Sequence, residues 1–141
     1  MDRALIDTDI LSYYFKGNEI VKSNFEKYLE YYEVIEISVV TYYEVTGGLL
    51  ANNALKQLAV FEGFLFDNAV VPMTDSSARI AAELYAELRQ SGKPVDDIDL
   101  LIAGIAIDNN MRLVTNNESH FKRVPGLVIE NWSKRGPYTE K

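Results

Sequence analysis

The 141-residue sequence has no cysteine and a single histidine, His120. The lack of cysteine excludes a disulfide scaffold, a zinc–thiolate site and a cysteine nucleophile. With one histidine, a metal site built from several imidazoles is impossible, and a Ser-His-Asp triad would have to use that one ring. We interpret His120 as a packed or solvent-facing ring beside Phe121 rather than as a general base.

Long apolar runs are also missing. The longest run, Leu100–Ile107, has about eight residues, whereas a helix that crosses a bilayer needs ~20. The N-terminus leads almost directly into a strand-like segment, without the basic leader and apolar core of a signal peptide. We therefore expect a cytoplasmic protein that does not associate with membranes.

Positive charge is scarce, since 14 basic and 21 acidic residues give a net charge of −7. Proteins that bind nucleic acids are normally basic, so the overall charge argues against such a partner. The charge is unevenly spread, however: residues 1–110 hold eight basic and eighteen acidic side chains, and residues 111–141 hold six and three. We interpret part of the acidity as a site rather than as solvated surface.

The composition, 48% hydrophobic and 25% charged, is that of one globular domain. No internal repeat and no Pro/Gly/Ser-rich linker divides the chain. The last nine residues are polar. We expect a single domain over residues 1–132 and a loose polar tail over residues 133–141.

Short strand-like apolar runs alternate with segments of helical periodicity. The predicted strands are Arg3–Asp7, Val34–Val39, Ala69–Met73, Arg112–Thr115 and Leu127–Glu130, and the clearest helices are Asn53–Phe66, Ser76–Gln90 and Ile98–Ile107. Such alternation predicts an α/β fold with a parallel sheet and helices on both of its faces. In these folds, sites gather at the carboxyl ends of the strands.

Two of the predicted helices have a distinctive composition. Ile98–Ile107 is apolar nearly all round, which predicts a central buried helix, and its Gly104 and two alanines would allow a close approach to the sheet. In Asn53–Phe66, Phe61, Phe64 and Phe66 lie beyond one narrow stripe, which indicates burial on more than one side.

Acidic residues follow the first two strands. Asp7 ends the first strand, where a carboxylate would point into the crevice above the sheet. The alternative is a helix N-cap, but a helix starting near Ile10 would be capped better by Asp9. Glu44 lies about two helical turns after the second strand. Alone it would be an ordinary exposed glutamate, and its position relative to that strand favours a role in a site.

Three further acids, Asp96, Asp97 and Asp99, open the most buried helix. Asp96 alone can cap this helix and meet its dipole. Three acids in four residues exceed that need, and a divalent cation would offset their repulsion. We expect Asp99 to face the crevice. Asn117 follows the fourth strand, either as part of a turn or as a neutral ligand.

Acids at three strand exits could converge into one cluster. Oxygen ligands without His or Cys suit Mg²⁺ or Mn²⁺. These ions polarise phosphoryl oxygens and activate water, so hydrolysis of a phosphate ester is the expected reaction class.

The same residues carry a family resemblance. It rests on Leu5-Ile6-Asp7-Thr8-Asp9, Ser38-x-x-Thr41-x-x-Glu44, Asp97-x-Asp99-Leu100-Leu101-Ile102-Ala103, and Leu113-Val114-Thr115-Asn116-Asn117 followed by His120-Phe121. In their order and spacing these motifs resemble the PIN-domain nucleases, and among them the VapC-type ribonuclease toxins of toxin–antitoxin pairs. The resemblance covers nearly the whole chain.

The resemblance implies a three-layer α/β/α sandwich around a mainly parallel sheet of about five strands. It also implies an Mg²⁺- or Mn²⁺-dependent endoribonuclease, a homodimer and a small antitoxin protein as partner. Asp7, Glu44 and Asp99 match the three acids typical of the family. Asn117 falls where many members have a fourth acid, and Asp97 is the residue that could compensate.

By this resemblance the catalytic set is Asp7, Glu44, Asp99 and Asn117, and the metal ligands are Asp7, Glu44, Asp97 and Asp99. The hydroxyls of Thr8 and Thr115 match positions that line the site. Five basic residues could guide RNA, the alternative being solvated surface: Arg112, Lys122, Arg123, Lys134 and Arg135. The aromatic clusters Tyr13-Tyr14-Phe15 and Tyr28–Tyr32 could form an antitoxin groove or a dimer face, the alternative being core packing.

Other readings of the acids stay open from sequence alone. Asp7-Thr8-Asp9 also fits the DxD motif of haloacid-dehalogenase-type phosphohydrolases, although Leu11 stands where that family usually has Thr or Val. A receiver domain would need a phosphoacceptor aspartate at the third strand exit, which reads Val71-Pro72-Met73-Thr74. A catalytically silent PIN-like binding module is the third alternative.

Overall fold

The computed structural model describes residues 2–137. The strands are β1 (Ala4–Ile6), β2 (Glu36–Ser38), β3 (Ala69–Val71), β4 (Arg112–Val114) and β5 (Ile129–Glu130). The helices are α1 (Thr8–Phe15), α2 (Glu19–Tyr28), α3 (Val39–Ala51), α4 (Leu55–Phe66), α5 (Asp75–Gln90), α6 (Asp97–Asp108) and α7 (Glu118–Phe121). Each predicted strand contains an observed one, and the strands are shorter than predicted.

The five strands form one sheet in the order β3-β2-β1-β4-β5, and every neighbouring pair is parallel. Leu5 of β1 pairs with Glu36 on one side and with Leu113 on the other. The chain therefore builds outward from β1 to β3 and then returns to the other side of β1. This reversal leaves a crevice beyond the carboxyl ends of β1 and β4, where ligands bind in open α/β sheets.

Alternate strand residues face two separate cores. Leu5 and Leu113 point into a core formed with α5 and α6. Ala4, Ile6 and Val114 point into a second core formed with α1, α2 and Trp132. Because successive side chains of a strand point to opposite faces, the two cores lie on the two sides of the sheet. The chain is thus a three-layer α/β/α sandwich, as expected.

Local sequence explains where most of the helices start. Asn18 caps α2, Ser38 caps α3 and Asp96 caps α6, each by accepting a hydrogen bond from a backbone N–H of the first turn. Thr74 and Ser77 form a reciprocal capping box at the start of α5. Such side chains satisfy amide donors that have no partner within the helix.

Helix α6 is the buried central helix that the sequence predicts, but its glycine serves a contact other than the expected one. A Cβ atom on Gly104 would lie 2.5 Å from the backbone oxygen of Ser77 and 3.2 Å from Cβ of Ala81. The glycine therefore permits a close approach of α6 to α5, and not to the sheet as expected.

Within the single chain helix α4 is buried on one side, so its expected burial on a second side stays a prediction. Phe61 is buried, whereas Phe66 is 90% exposed in the single chain. None of the helices among the described residues is long and apolar enough to span a membrane.

The segment expected to form a loose tail begins with anchored residues. The backbone oxygen of Arg135 accepts a hydrogen bond from Asn24, and the Arg135 guanidinium donates to Glu118. The last four residues, 138–141, lie outside the described residues.

Candidate active site

Asp7 lies directly after β1, buried in the crevice. Its Oδ1 accepts a hydrogen bond from the backbone N–H of Thr8 (2.9 Å), and its Oδ2 accepts one from the Thr115 hydroxyl after β4 (2.7 Å). Asp7 is therefore also the N-cap of α1, and the expected start near Ile10 with Asp9 as the cap is wrong. The helix begins two residues earlier because the extended backbone of Asp7 places its carboxylate against the first amide.

The surroundings of Asp7 disfavour its negative charge. The pKa of Asp7 is raised from 3.8 to about 7, mainly by burial and then by the negative charges of Asp9 and Asp99. The hydrogen bonds from Thr115 and Thr8 act in the opposite direction and lower it. A buried carboxylate with a raised pKa is stabilised in its ionised form by a nearby cation.

Asp9 belongs to this cluster, although the sequence favoured a capping role for it. Its Oδ1 accepts from Ile10 N (2.7 Å) and its Oδ2 from Asn116 N (3.1 Å). Burial is the main cause that raises the pKa of Asp9, and the charge of Glu44 adds to it. Asp9 thus links α1 to the turn after β4. The pattern Asp-x-Asp at a strand exit was the signal for it.

Glu44 enters the crevice from α3. The Thr8 hydroxyl lies 2.6 Å from Glu44 Oε1 and 3.0 Å from Thr41 Oγ1. Since a hydroxyl has one proton and the carboxylate can only accept, Thr8 donates to Glu44 and Thr41 donates to Thr8. Thr41 is a site residue that our sequence reasoning did not select, although its i, i+3 spacing to Glu44 places both on one helix face.

Asp99 lies in the first turn of α6, and its side chain is 20% exposed. Burial, Asp96 and Glu44 raise the pKa of Asp99, whereas His120 opposes them with Nδ1 at 3.8 Å from Asp99 Oδ2. Asp97 is exposed in the same turn. The charges that act most strongly on Asp99 are those of Asp96, His120 and Glu44, and the role of Asp97 as a metal ligand stays a prediction.

Asn117 completes the edge of the site after β4. Its backbone N–H donates to Thr115 Oγ1 (3.0 Å), and its Nδ2 lies 3.0 Å from Nδ1 of His120. His120 is half-exposed, as the sequence interpretation had it, and it lies beside the site.

The donor set suits a hard divalent cation. Asp7, Glu44 and Asp99 offer carboxylate oxygens; the charge of Asp99 raises the pKa of Asp7, and that of Glu44 raises the pKa of Asp99. Within residues 2–137, no three His, Asp or Glu side chains are already assembled as a metal-binding group. The three acids therefore suit such a cation because they are oxygen ligands and because their negative charge is uncompensated.

The basic residues expected to guide RNA differ in their environments. Arg112 is buried, forms an ion pair with Glu130 and donates to the backbone oxygen of Asp2. Its proposed contact with RNA is wrong, because a side chain held inside the sheet layer cannot reach a ligand. Arg123 donates to the backbone oxygen of Pro94. Lys122 is exposed at the end of α7.

A cleft of about 480 Å³ opens next to the acidic cluster. Thr8 and Glu44 lie at its junction with the site, and helices α1, α3 and α4 form its walls. Most of its wall is apolar: Leu11, Phe15, Val45, Leu49, Val60 and Phe61. Of the aromatic clusters, Tyr28 belongs to the core, where its hydroxyl accepts from Ala4 N (2.9 Å), and Phe15 lines the cleft.

Comparison with known proteins decides the family. The family model described as "PIN domain" matches residues 4–127. The chain belongs to the PIN-domain family. The haloacid-dehalogenase and receiver alternatives are thereby set aside.

This PIN domain is similar to named relatives over most of its length. It is 32% identical to Ribonuclease VapC2 of Rickettsia felis over 139 residues, which covers 92% of the chain and 98% of the relative. A 78-residue stretch is 40% identical to the tRNA(fMet)-specific endonuclease VapC of Shigella flexneri, covering 55% of the chain and 59% of the relative. VapC nucleases of this family generally depend on a divalent metal ion.

Solved structures of toxin–antitoxin complexes have the same fold. The PIN domain superposes on a chain of DNA-bound VapBC from Salmonella typhimurium with a TM-score of 0.84 and 31% identity, covering 94% of the domain's chain and 99% of the other. For VapBC2 of Rickettsia felis, bound to a DNA fragment of its promoter, the TM-score is 0.83, with 92% and 98% covered.

Proposed function

We propose that this chain is a divalent-metal-dependent endoribonuclease and the toxin of a toxin–antitoxin pair. The observation that supports it most is the group of three acids, Asp7, Glu44 and Asp99, at the carboxyl edge of a PIN-domain sheet. Asp7 and Asp99 reach this edge from different elements, and Asp99 raises the pKa of Asp7. Membership of the VapC ribonuclease branch supports the same conclusion.

Asp7, Glu44 and Asp99 would hold the ion, which we propose to be Mg²⁺ or Mn²⁺. When bound, such an ion supplies Lewis acidity toward a phosphoryl oxygen and lowers the pKa of the attacking water. Thr115 and Thr8 fix the orientation of the Asp7 and Glu44 carboxylates by donating to them. Fixed ligand orientation is what such neighbouring hydrogen bonds provide in metal sites.

Asn117 and Asp97 have separate proposed roles. The Asn117 amide faces the site edge and would contact the scissile phosphate or the ion as a neutral ligand. Asp97, exposed one residue after the cap of α6, would complete the ligand set only if its side chain turned toward Asp99. We therefore rank it behind the other three acids.

The cleft beside Glu44 fits an apolar segment of the antitoxin. Its walls are mostly apolar, and it ends at a carboxylate, so an amphipathic segment with a terminal Arg or Lys would complement both. We further propose that the protein forms a homodimer and works in the cytoplasm, where its RNA substrate is. Residues 1–132 would form the nuclease domain.

The test is cleavage of end-labelled tRNA and mRNA transcripts by the purified chain with Mg²⁺, with Mn²⁺ and with EDTA. We expect defined cuts with a metal and none in EDTA. Asp7→Asn and Asp99→Asn should abolish them, whereas Asp67→Asn, which changes an exposed acid at the end of α4, should not.

Two results would count against the proposed function, and a third against the ranking of Asp97. Equal cleavage by wild type and Asp7→Asn would indicate a contaminating nuclease. Metal binding without cleavage of any transcript would favour a silent binding module. Loss of activity in Asp97→Asn as complete as in Asp99→Asn would place Asp97 among the ligands after all.

A further inference from the structure

Asn131, which follows β5, is a fully buried polar residue whose hydrogen bonds reach toward the active site. Its Nδ2 donates to Asn116 Oδ1 (2.9 Å) and to Glu118 Oε2 (2.8 Å). The two acceptors lie on either side of Asn117: Asn116 is in the β4–α7 turn, and Glu118 is the first residue of α7. We call Asn116, Glu118, Asn131 and Ser133 the C-terminal clasp.

Ser133 completes the clasp by fixing the Asn131 amide. The backbone N–H of Ser133 lies 3.0 Å from Asn131 Oδ1, and its hydroxyl lies 2.6 Å from the same oxygen. The two N–H bonds and the two lone pairs of the Asn131 amide are therefore all used. A fully satisfied buried amide has one orientation, and a rotated amide would leave buried polar atoms unpaired.

Hydrogen bonds from the two residues of the β4–α7 turn connect the clasp to Asp9 and to Asp7, a predicted catalytic carboxylate. Asn116 N donates to Asp9 Oδ2 at 3.1 Å. The next residue, Asn117, donates its N–H to Thr115 Oγ1 at 3.0 Å, and that hydroxyl donates to Asp7 Oδ2 at 2.7 Å.

We propose that Asn131 is a positioning residue for RNA cleavage. It holds the β4–α7 turn so that Asn117 and the Thr115 hydroxyl keep Asp7 in the geometry that binds the ion. The inference rests on the proposed function. It assigns a role in the active site to Asn131, which follows β5 and lies 15 residues after Asn116 in the sequence.

Asn24 offers a matched control for Asn131. It is also buried, and its Nδ2 also makes two hydrogen bonds, to the backbone oxygens of Trp132 (2.9 Å) and Arg135 (3.0 Å). Asn24 thus anchors the same C-terminal segment without touching the β4–α7 turn. Asn131→Ala and Asn24→Ala should lower the stability of the protein similarly, but only the former should affect the site.

The experiment compares both variants with wild type in three measurements: kcat and KM for a cleaved transcript, Mn²⁺ binding followed by electron paramagnetic resonance, and exchange of the Asn117 amide proton by NMR. For Asn131→Ala we expect kcat and Mn²⁺ affinity to fall roughly 10- to 100-fold, with KM unchanged and faster exchange at Asn117. For Asn24→Ala we expect wild-type values in all three.

Equal results for the two variants would overturn the proposal, since the clasp would then contribute stability alone. If Asn131→Ala does not fold, Ser133→Ala decides: it removes the hydroxyl bond to the Asn131 amide and should shift the same measurements less far in the same direction. If wild type cleaves no RNA, the proposed function fails, while Mn²⁺ binding and amide exchange still judge the clasp.

Discussion

Replacing Asp7 by asparagine should stabilise the metal-free protein at alkaline pH while it removes the proposed activity. Asn has the shape of Asp without its charge. The pKa of Asp7 rises from 3.8 to about 7 on folding, and one pKa unit corresponds to about 1.4 kcal/mol. Keeping the ionised carboxylate buried at pH 8 therefore costs about 4 kcal/mol of the free energy of unfolding.

The sign of the pH dependence follows from the direction of the shift. The folded state favours the protonated carboxyl, so the contribution of Asp7 is most favourable below the unfolded-state pKa of 3.8. It is lost as the pH rises through about 7. The raised pKa values of Asp9 and Asp99 act in the same direction.

Asparagine at position 7 removes the carboxylate charge but keeps only part of the hydrogen bonding of Asp7. Its oxygen can still accept from Thr8 N, whereas its NH₂ group would face the Thr115 hydroxyl, which now donates to Asp7. That mismatch costs about 1–2 kcal/mol. We expect Asp7→Asn to be about 2–3 kcal/mol more stable than wild type at pH 8 and about equal to it at pH 5.

The assay is urea unfolding in EDTA at pH 5 and pH 8. Trp132, the one tryptophan of the sequence, is fully buried and reports unfolding by fluorescence. Asp67→Asn is the control, because an exposed aspartate should change stability by less than about 0.5 kcal/mol at both pH values. A pH-independent difference between wild type and Asp7→Asn, or a less stable variant at pH 8, would refute the reasoning.

Two further substitutions test the packing and the hydrogen bonding around the site. Gly104→Ala should lower the free energy of unfolding by about 1–3 kcal/mol, because its Cβ would meet a backbone oxygen of α5 at 2.5 Å. Gly63→Ala, whose Cβ meets nothing within 4 Å, should instead raise the free energy of unfolding by about 0.5–1 kcal/mol. Both variants are measured by urea unfolding, and equal effects would contradict the close contact between α6 and α5. Thr115→Val removes the hydroxyl that donates to Asp7 and should lower kcat roughly 10- to 100-fold. Thr46→Val removes a buried hydroxyl with no hydrogen-bond partner among residues 2–137, so it should leave kcat unchanged; equal kcat values for the two valine variants would contradict the orienting role of Thr115.

The order of elements and the placement of Asp7 were predictable from sequence because both depend on local pattern. A continuous apolar run such as Ala4–Ile6 is typical of a strand buried on both faces. A polar residue directly after such a run must lie at the carboxyl edge of the sheet. Glu44 was predictable for a similar reason, since α3 starts directly after β2.

What sequence reasoning missed depends on contacts between distant segments. Asp9 bonds to the backbone of Asn116, 107 residues later. The charge of Arg112 suggested a surface residue, yet Glu130 on the neighbouring strand makes its burial tolerable. Neither pairing leaves a periodic signal in the chain. Only the strand order, which puts β4 beside both β1 and β5, brings these groups together.

The acidic net charge of −7 is compatible with an RNA substrate once the positions of the charges are considered. Asp7 is buried, and its raised pKa makes its contribution to that charge partial near neutral pH. On the basic side, Arg112 is internal, while Lys134 and Arg135 pair with Glu118. Of the five basic residues proposed to guide RNA, these three are thus already engaged, and we expect affinity for RNA to follow the occupancy of the acidic cluster by a divalent ion. A positively charged antitoxin side chain that reaches Glu44 through the cleft would compete with the divalent ion for the same carboxylates. Substrate binding and inhibition would then depend on one electrostatic feature of the crevice.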